Sequence, residues 1–211
     1  MRPVVENWNI VVAGLWNTAI FSPHWTGKRL KSLFGIEQMN LEFVATARGT
    51  QVKFSTDRFT LIPGNEGLVV ALKQIDDQSL DWAEKFVIDI LGMLPHTPVS
   101  AFGVNFAFTE ADLKSDLAAL FRLSDSEQLA AHGYIPMSLS IQRSLRLEEA
   151  RLNAILTYPE EGALSIRLNF HHDVAAAEEA LERLRGHAVR YKKDGLSFLE
   201  KVYGLTMEEA Q

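Results

Sequence analysis

The sequence of 211 residues contains no cysteine. Disulfide bonds, thiolate nucleophiles and zinc sites with cysteine ligands are therefore excluded. The chain also has no excess of basic charge. It contains 21 Lys and Arg residues and 27 Asp and Glu residues, which gives a net charge of −6. Nucleic acids are held mainly by clustered Lys and Arg side chains, so we expect no nucleic-acid partner.

Long apolar runs are missing as well. The first apolar run, residues 10–16, leads into Asn17 without a small-residue cleavage pattern. A membrane-spanning helix needs about 20 apolar residues, and a signal peptide needs a cleavage site after its apolar segment. The sequence therefore predicts no membrane contact, and a cytoplasmic location is the default expectation.

The usual motifs of catalysis and cofactor binding are absent too. The chain has no Gly-x-Ser-x-Gly elbow, no Gly-x-Gly-x-x-Gly turn, no phosphate loop and no His-Glu-x-x-His helix. His171, His172 and Asp173 form the only dense group of metal-capable residues, but adjacent histidines on a strand point in different directions. The carboxylate pairs at 148–149 and 160–161 lie in predicted hairpin turns. We therefore predict no metal site and no cofactor.

The chain is organised around an alternating stretch, Val99–Glu110. Phe102, Val104, Phe106 and Phe108 fall on one face of an extended strand, and small residues fall on the other. This pattern is typical of a central strand with a helix packed against it. Further strands are predicted at residues 9–15, 38–47, 51–62, 68–74, 137–147, 151–158 and 163–170. A one-residue slip of the apolar pattern within 51–62 predicts a bulge near 56–58.

Helices are predicted from their end signals. Ser22 followed by proline predicts a helix over residues 23–34 that stops at Gly35. An aspartate cap at 76–77 and Pro95 frame a second helix. Thr109, with an acidic residue three positions later, predicts the start of a third helix. Asp173 is predicted to cap a final helix, and Gly186 and Gly195 predict that this helix breaks or bends before its end.

The order of elements occurs twice: strand, helix, three-strand meander, long helix. The sequence thus predicts an α+β fold built from a duplicated β-α-β-β-β-α unit, with halves at 1–97 and 98–211 fused into one pseudo-symmetric domain. We expect a curved, mainly antiparallel sheet of about eight strands with helices on one face. The element order is similar to that of the two halves of the TATA-binding protein saddle. No motif residues match, so the resemblance implies no function.

The uncovered face of the sheet is the main candidate interaction surface. Strand parity places hydroxyls, amides and a few charges there, which suits either a solvated face or a concave platform that orients a ligand or a partner. The candidate residues are Asn40, Glu42, Lys53, Lys73, Gln142, Arg151, Asn153, Arg167 and Asn169.

Aromatic residues near the first helix form a second candidate surface. Trp16, Phe21 and Trp25 are either core residues or, where exposed, an aromatic patch that anchors a partner. With no catalytic constellation, the leading hypothesis is a non-enzymatic interaction or assembly protein, with self-association or another protein as partner. The alternative is a small-molecule-binding protein or enzyme with a site between the two halves.

Overall fold

The computed structural model describes residues 1–46, 49–111, 115–159 and 162–208. Within these residues the chain forms an α+β fold with a mainly antiparallel sheet of ten strands that does not close into a barrel. The strands are β1 (Arg2–Pro3), β2 (Asn9–Gly14), β3 (Asn40–Thr46), β4 (Gly49–Ser55), β5 (Phe59–Pro63), β6 (Gly67–Leu72), β7 (Val99–Glu110), β8 (Ser138–Arg146), β9 (Arg151–Pro159) and β10 (Leu164–Asp173). The helices are α1 (Pro23–Phe34), α2 (Asp77–Met93), α3 (Ser115–Ala119), α4 (Ser126–Ala131), α5 (Ala177–Leu184) and α6 (Ala188–Tyr203).

The two parts of the chain meet at the centre of the sheet. The strand order is β3-β4-β5-β6-β2-β7-β10-β9-β8, and β2 pairs with β7 in antiparallel register from Asn9 opposite Asn105 onward. The short β1 continues this edge of β7, with Arg2 opposite Thr109. One sheet therefore runs through both parts of the chain, and its outermost strands, β3 and β8, lie far apart.

The hydrophobic core lies on one face of the sheet. Phe102, Val104, Phe106 and Phe108 of β7 are buried, and α2, α5 and α6 pack over this face. Trp8 is fully buried beside them, with its ring edge-on to Phe106 at 5.0 Å. A buried side chain of this kind stabilises the fold by roughly 1.5–3 kcal/mol, so the apolar face of β7 anchors the helix layer.

The first two helices start as predicted. The Ser22 hydroxyl accepts a hydrogen bond from the Trp25 N–H at 3.2 Å, and α1 ends at Gly35 in the left-handed conformation with φ of 68°. The Asp76 carboxylate accepts from the Ser79 N–H at 2.8 Å and caps α2. Local cap chemistry alone determines these ends, which explains why the sequence predicts them.

Residues 51–62 do not form one bulged strand, so that prediction was wrong. They form a hairpin, in which Phe54 of β4 lies opposite Leu61 of β5. The Thr56 hydroxyl oxygen accepts from the N–H groups of Arg58 and Phe59 at 3.2 and 3.1 Å, and this closes the turn. The change of apolar parity is real, but it arises from a chain reversal instead of an inserted residue.

Two predicted caps were also wrong. Thr109 lies within β7, and position 112 lies outside the described residues. Asp173 ends β10, while Ala176 precedes α5. The predicted break at Gly186 is confirmed, since that residue has φ of 77° between α5 and α6, whereas Gly195 lies inside α6 and does not break it.

The predicted duplication is not confirmed. Four strands lie between α1 and α2, whereas three lie between α4 and α5, because the hairpin at Thr56 adds a strand to the first part. With this strand and the short β1, the sheet has ten strands instead of about eight. Among the described residues, no helix has the length and apolar character needed to cross a membrane.

Candidate functional site

The face of the sheet opposite the helices carries a row of side chains that crosses five strands. Asn9, Asn105, Asn169, Asn153 and Ser144 are consecutive Cα partners on β2, β7, β10, β9 and β8. Directly opposite residues on one face lie about 5 Å apart, close enough for short polar side chains to touch. We call these five residues the amide row.

The amide row is hydrogen-bonded from end to end. Each Nδ2 group donates to the next Oδ1 atom, from Asn153 to Asn169 (3.1 Å), from Asn169 to Asn105 (2.7 Å) and from Asn105 to Asn9 (2.8 Å). The Ser144 hydroxyl donates to Asn153 Oδ1 at 2.8 Å. A carboxamide has two N–H donors and two acceptor lone pairs, so each central asparagine keeps one donor and one lone pair for another molecule.

Gly103 makes space for this row. A Cβ atom at this position would lie 2.4 Å from Asn169 Nδ2, well inside contact distance. The small residues on this face of β7 therefore serve the amide row, while the helices pack on the opposite, aromatic face. The sequence reasoning recognised the small face of β7 but did not assign it this role.

The amide row forms the floor of a trough of about 820 Å³. Other side chains along the trough include Asn7, Gln142, Arg151, Ile155 and Arg167. Among the described residues that line it, none is a carboxylate or a histidine. The trough thus offers amide donors and acceptors and two guanidinium groups, but no side chain suited to take up or release a proton near neutral pH.

The two arginines differ in how they are paired. Arg151 lies 3.5 Å from Asp173, whose carboxylate also contacts His171 Nε2 at 2.9 Å, a hydrogen bond that lowers the pKa of Asp173. Arg167 is exposed, and within the described chain its side chain makes no hydrogen bond or ion pair. Arg151 lies opposite His171, so the two arginines are about 13 Å apart along the strands. Arg167 is therefore the available cation of the trough.

Beside the amide row the same face becomes apolar. Ile62, Val69 and Val11 are consecutive Cα partners on β5, β6 and β2, and all three are half-buried. Ala71 lies directly opposite Asn9, so this apolar half adjoins the amide row. The sequence analysis missed these residues. The available signal was the unbroken apolar run of β2 and β6, because strands covered on both faces lose their polar alternation.

The structure brings together five of the nine predicted residues of the sheet face: Gln142, Arg151, Asn153, Arg167 and Asn169 line the trough. Asn40, Glu42 and Lys53 lie on β3 and β4, at the far edge of the sheet. Lys73 follows β6, and its ammonium group donates to the Thr56 carbonyl at 2.7 Å. These four residues are separated from the trough.

The predicted aromatic patch lies mostly inside the protein. Trp16 and Phe21 are each 5% exposed, and Trp25 packs edge-on against Phe21 at 5.4 Å. The Trp16 indole N–H donates to the Val12 carbonyl at 3.1 Å. This burial favours the core interpretation, and we do not place the candidate interface there.

The histidine cluster splits between the two faces of β10. His171 lies on the face of the trough, whereas His172 is buried under the helices with its Nε2 atom 2.7 Å from the Tyr191 hydroxyl. The Glu149 carboxylate contacts His187 Nε2 at 2.9 Å and Arg190 at 3.2 Å on the exposed surface. The described residues contain no group of three or more side chains arranged to hold a metal ion. Residues 160–161 lie outside the described residues.

No protein-family model matches the sequence, and no curated protein matches it.

Proposed function

We propose that this protein is a non-enzymatic interaction module that binds a protein partner on the open face of its sheet. The observation that carries the proposal is the composition of that face. An apolar half built from Val11, Ile62 and Val69 adjoins a hydrogen-bonding half built from the amide row. Protein interfaces commonly combine an apolar centre with polar groups around it.

The apolar half supports a macromolecular partner. β2 and β6 carry apolar side chains on both faces, which is typical of strands that are covered on both sides. Here the helices cover only one face, and the side chains on the other remain half-buried. A flat apolar area of this kind gains free energy when a partner removes it from water.

The polar half supports binding over catalysis. General acid–base catalysis needs a side chain with a pKa near the working pH, within hydrogen-bond reach of the substrate. The described lining of the trough supplies asparagines, a glutamine, a serine and arginines instead. These groups orient and neutralise a bound molecule but do not transfer protons near neutral pH.

Site-specific photo-crosslinking tests the proposal. A photoreactive amino acid at Gln142, which is exposed beside the amide row, is expected to form a covalent adduct with one defined protein in cells. The matched control carries the same group at Glu178, which is exposed on α5 in the helix layer. Equal adduct patterns at the two positions, or no protein adduct at Gln142, would contradict the proposal. An adduct with a second copy of this chain would identify self-association.

A small-molecule ligand of the same trough is the second candidate. The favouring observation is Arg167, a cation without a pairing partner in the described chain, which lines a trough of about 820 Å³, a volume typical of ligand sites. Native mass spectrometry of gently purified protein distinguishes the two functions. A reproducible added mass that disappears in Arg167→Gln would support the ligand, whereas an unmodified mass together with a Gln142 protein adduct would support the interaction module.

A further inference from the structure

We propose that the partner contributes an acidic, partly apolar segment that crosses the strands obliquely, with a carboxylate on Arg167 and an apolar side chain on Val11 and Val69. This inference rests on the proposed function and specifies the chemistry of the partner. The occupant is a peptide segment of another protein. A free carboxylate and a neutral peptide are outcomes that would overturn it.

The charge of the trough selects an acidic occupant. Arg167 makes no ion pair in the described chain, and the described trough lining contains no carboxylate. A partner that covers an unpaired guanidinium removes it from water, which is unfavourable unless the partner supplies an opposite charge. A carboxylate also matches the paired N–H groups of a guanidinium. In a chain of net charge −6, this local positive charge distinguishes the trough from the overall surface.

The neighbouring apolar half favours an apolar side chain at the other end of the partner segment. Val11 is the Cα partner of both Val69 and Gly103, so this half-buried valine lies between the apolar half and β7. Valine and isoleucine side chains at 11, 62 and 69 give an aliphatic surface without a charged group among them. An aliphatic side chain of the partner is therefore the matching group.

The strand register gives the spacing between the two ends. Val11 and Arg167 lie on β2 and β10, separated by β7, with Arg167 opposite Ala107 and Val11 opposite Gly103. Two strand spacings and a four-residue offset amount to about 16 Å. An extended segment spans this distance with about five residues. Its backbone then passes over Asn105 and Asn169, whose spare donors and acceptors match peptide N–H and C=O groups.

Nuclear magnetic resonance with synthetic peptides tests the inference. The probe has leucine at one end, glutamate at the other and a spacer of about four serines, which gives about five residue steps between them. The comparison peptide carries glutamine in place of glutamate. The side-chain amide signals of Asn105 and Asn169, assigned with Asn→Ser variants, report binding at the amide row. We expect these signals to shift with the glutamate peptide, and the dissociation constant to rise roughly tenfold with the glutamine peptide.

Arg167→Gln separates the charge contact from the rest. This variant is expected to bind the glutamate peptide roughly tenfold more weakly and the glutamine peptide as the wild type does, since the two changes remove the same contact. Arg167 is exposed and its side chain makes no hydrogen bond or ion pair in the described chain, so we expect the variant to keep the fold. Lys193→Gln, an exposed charge on α6, is the matched control and is expected to leave both affinities unchanged.

Each alternative outcome overturns the inference in a recognisable way. Equal affinity for the two peptides would show that the face does not select acidic segments. Equal shifts with glutarate alone would indicate a free carboxylate ligand. Equal affinity for a peptide without leucine would show that the apolar contact does not contribute to binding. No shift with any peptide, together with a protein adduct at Gln142, would refute this partner chemistry while leaving the proposed function intact.

Discussion

Acidification should destabilise this fold through one buried histidine. His172 is 3% exposed, its ring stacks on Phe102 at 4.4 Å, and its Nε2 atom is 2.7 Å from the Tyr191 hydroxyl. Its Nδ1 atom has no hydrogen-bond partner within the described chain. Burial, followed by the positive charge of Arg183, lowers the pKa of His172 from 6.5 to about 4. The folded protein therefore holds this side chain neutral at pH values where the unfolded chain protonates it.

The size of the effect follows from linkage. Because the folded pKa lies below the unfolded value, the unfolded state binds more protons, and stability falls as the pH drops below 6.5. With a folded pKa of about 4, His172 should reduce the free energy of unfolding by about 2 kcal/mol at pH 5 and by about 3 kcal/mol at pH 4, relative to pH 7.5. Well above pH 6.5 the side chain is neutral in both the folded and the unfolded state, so His172 no longer changes the free energy of unfolding with pH.

Urea denaturation at pH 7.5, 6, 5 and 4 measures this loss, with His172→Gln as the comparison. The variant is less stable at pH 7.5, because it loses the ring stacked on Phe102, but it does not titrate. The stability difference between wild type and variant should therefore shrink by about 2 kcal/mol between pH 7.5 and 5. Hydrogen bonds to His171 and His187 lower the pKa values of Asp173 and Glu149, so both carboxylates stay ionised between pH 7.5 and 5 and add little to this change. Parallel stability curves, or an NMR titration of His172 centred near pH 6.5, would refute the reasoning.

Three substitutions test other contacts. Gly103→Ala should displace the Asn169 carboxamide, break the amide row and cost roughly 1–3 kcal/mol, and an unmoved Asn169 side-chain signal would contradict this. Glu84→Gln should cost roughly 1–2 kcal/mol in urea denaturation, because the Glu84 carboxylate accepts from the N–H of Ala188 at 2.8 Å at the start of α6; equal stability would argue against this cap. Gly14→Ala should cost more than 2 kcal/mol or prevent folding, because its Cβ would lie 2.3 Å from a backbone carbonyl oxygen; a wild-type melting temperature would contradict the packing.

Features that depend on a few neighbouring residues were predictable from the sequence. The start of α1 at Ser22, its end at Gly35 and the break at Gly186 follow from local hydrogen bonding and from the freedom of glycine at positive φ. Alternation also placed Asn153, Arg167 and Asn169 on the open face. Each of these inferences uses residues a few positions apart, where the geometry is nearly fixed.

Features that depend on strand register were not predictable. The amide row needs Asn9 opposite Asn105 and Asn105 opposite Asn169, pairs separated by 96 and 64 residues. Parity gives the face of each residue but not its opposite partner on another strand. For the same reason, Lys53 was grouped with residues that lie at the other end of the sheet. The hairpin at Thr56 was missed because a parity change is produced equally by a bulge and by a reversal.

The amide row and the arginines have different consequences for recognition. The asparagines bond to one another and carry no charge, and the spare donor and lone pair of each central asparagine can pair with the backbone of a partner that covers them. Arg167 has no such partner in the described chain, and covering it is favourable only when the incoming segment brings a negative charge. If this face binds a partner as proposed, its selectivity for acidic segments should depend on Arg167, and the apolar side chains at 11, 62 and 69 should be covered in the same complex.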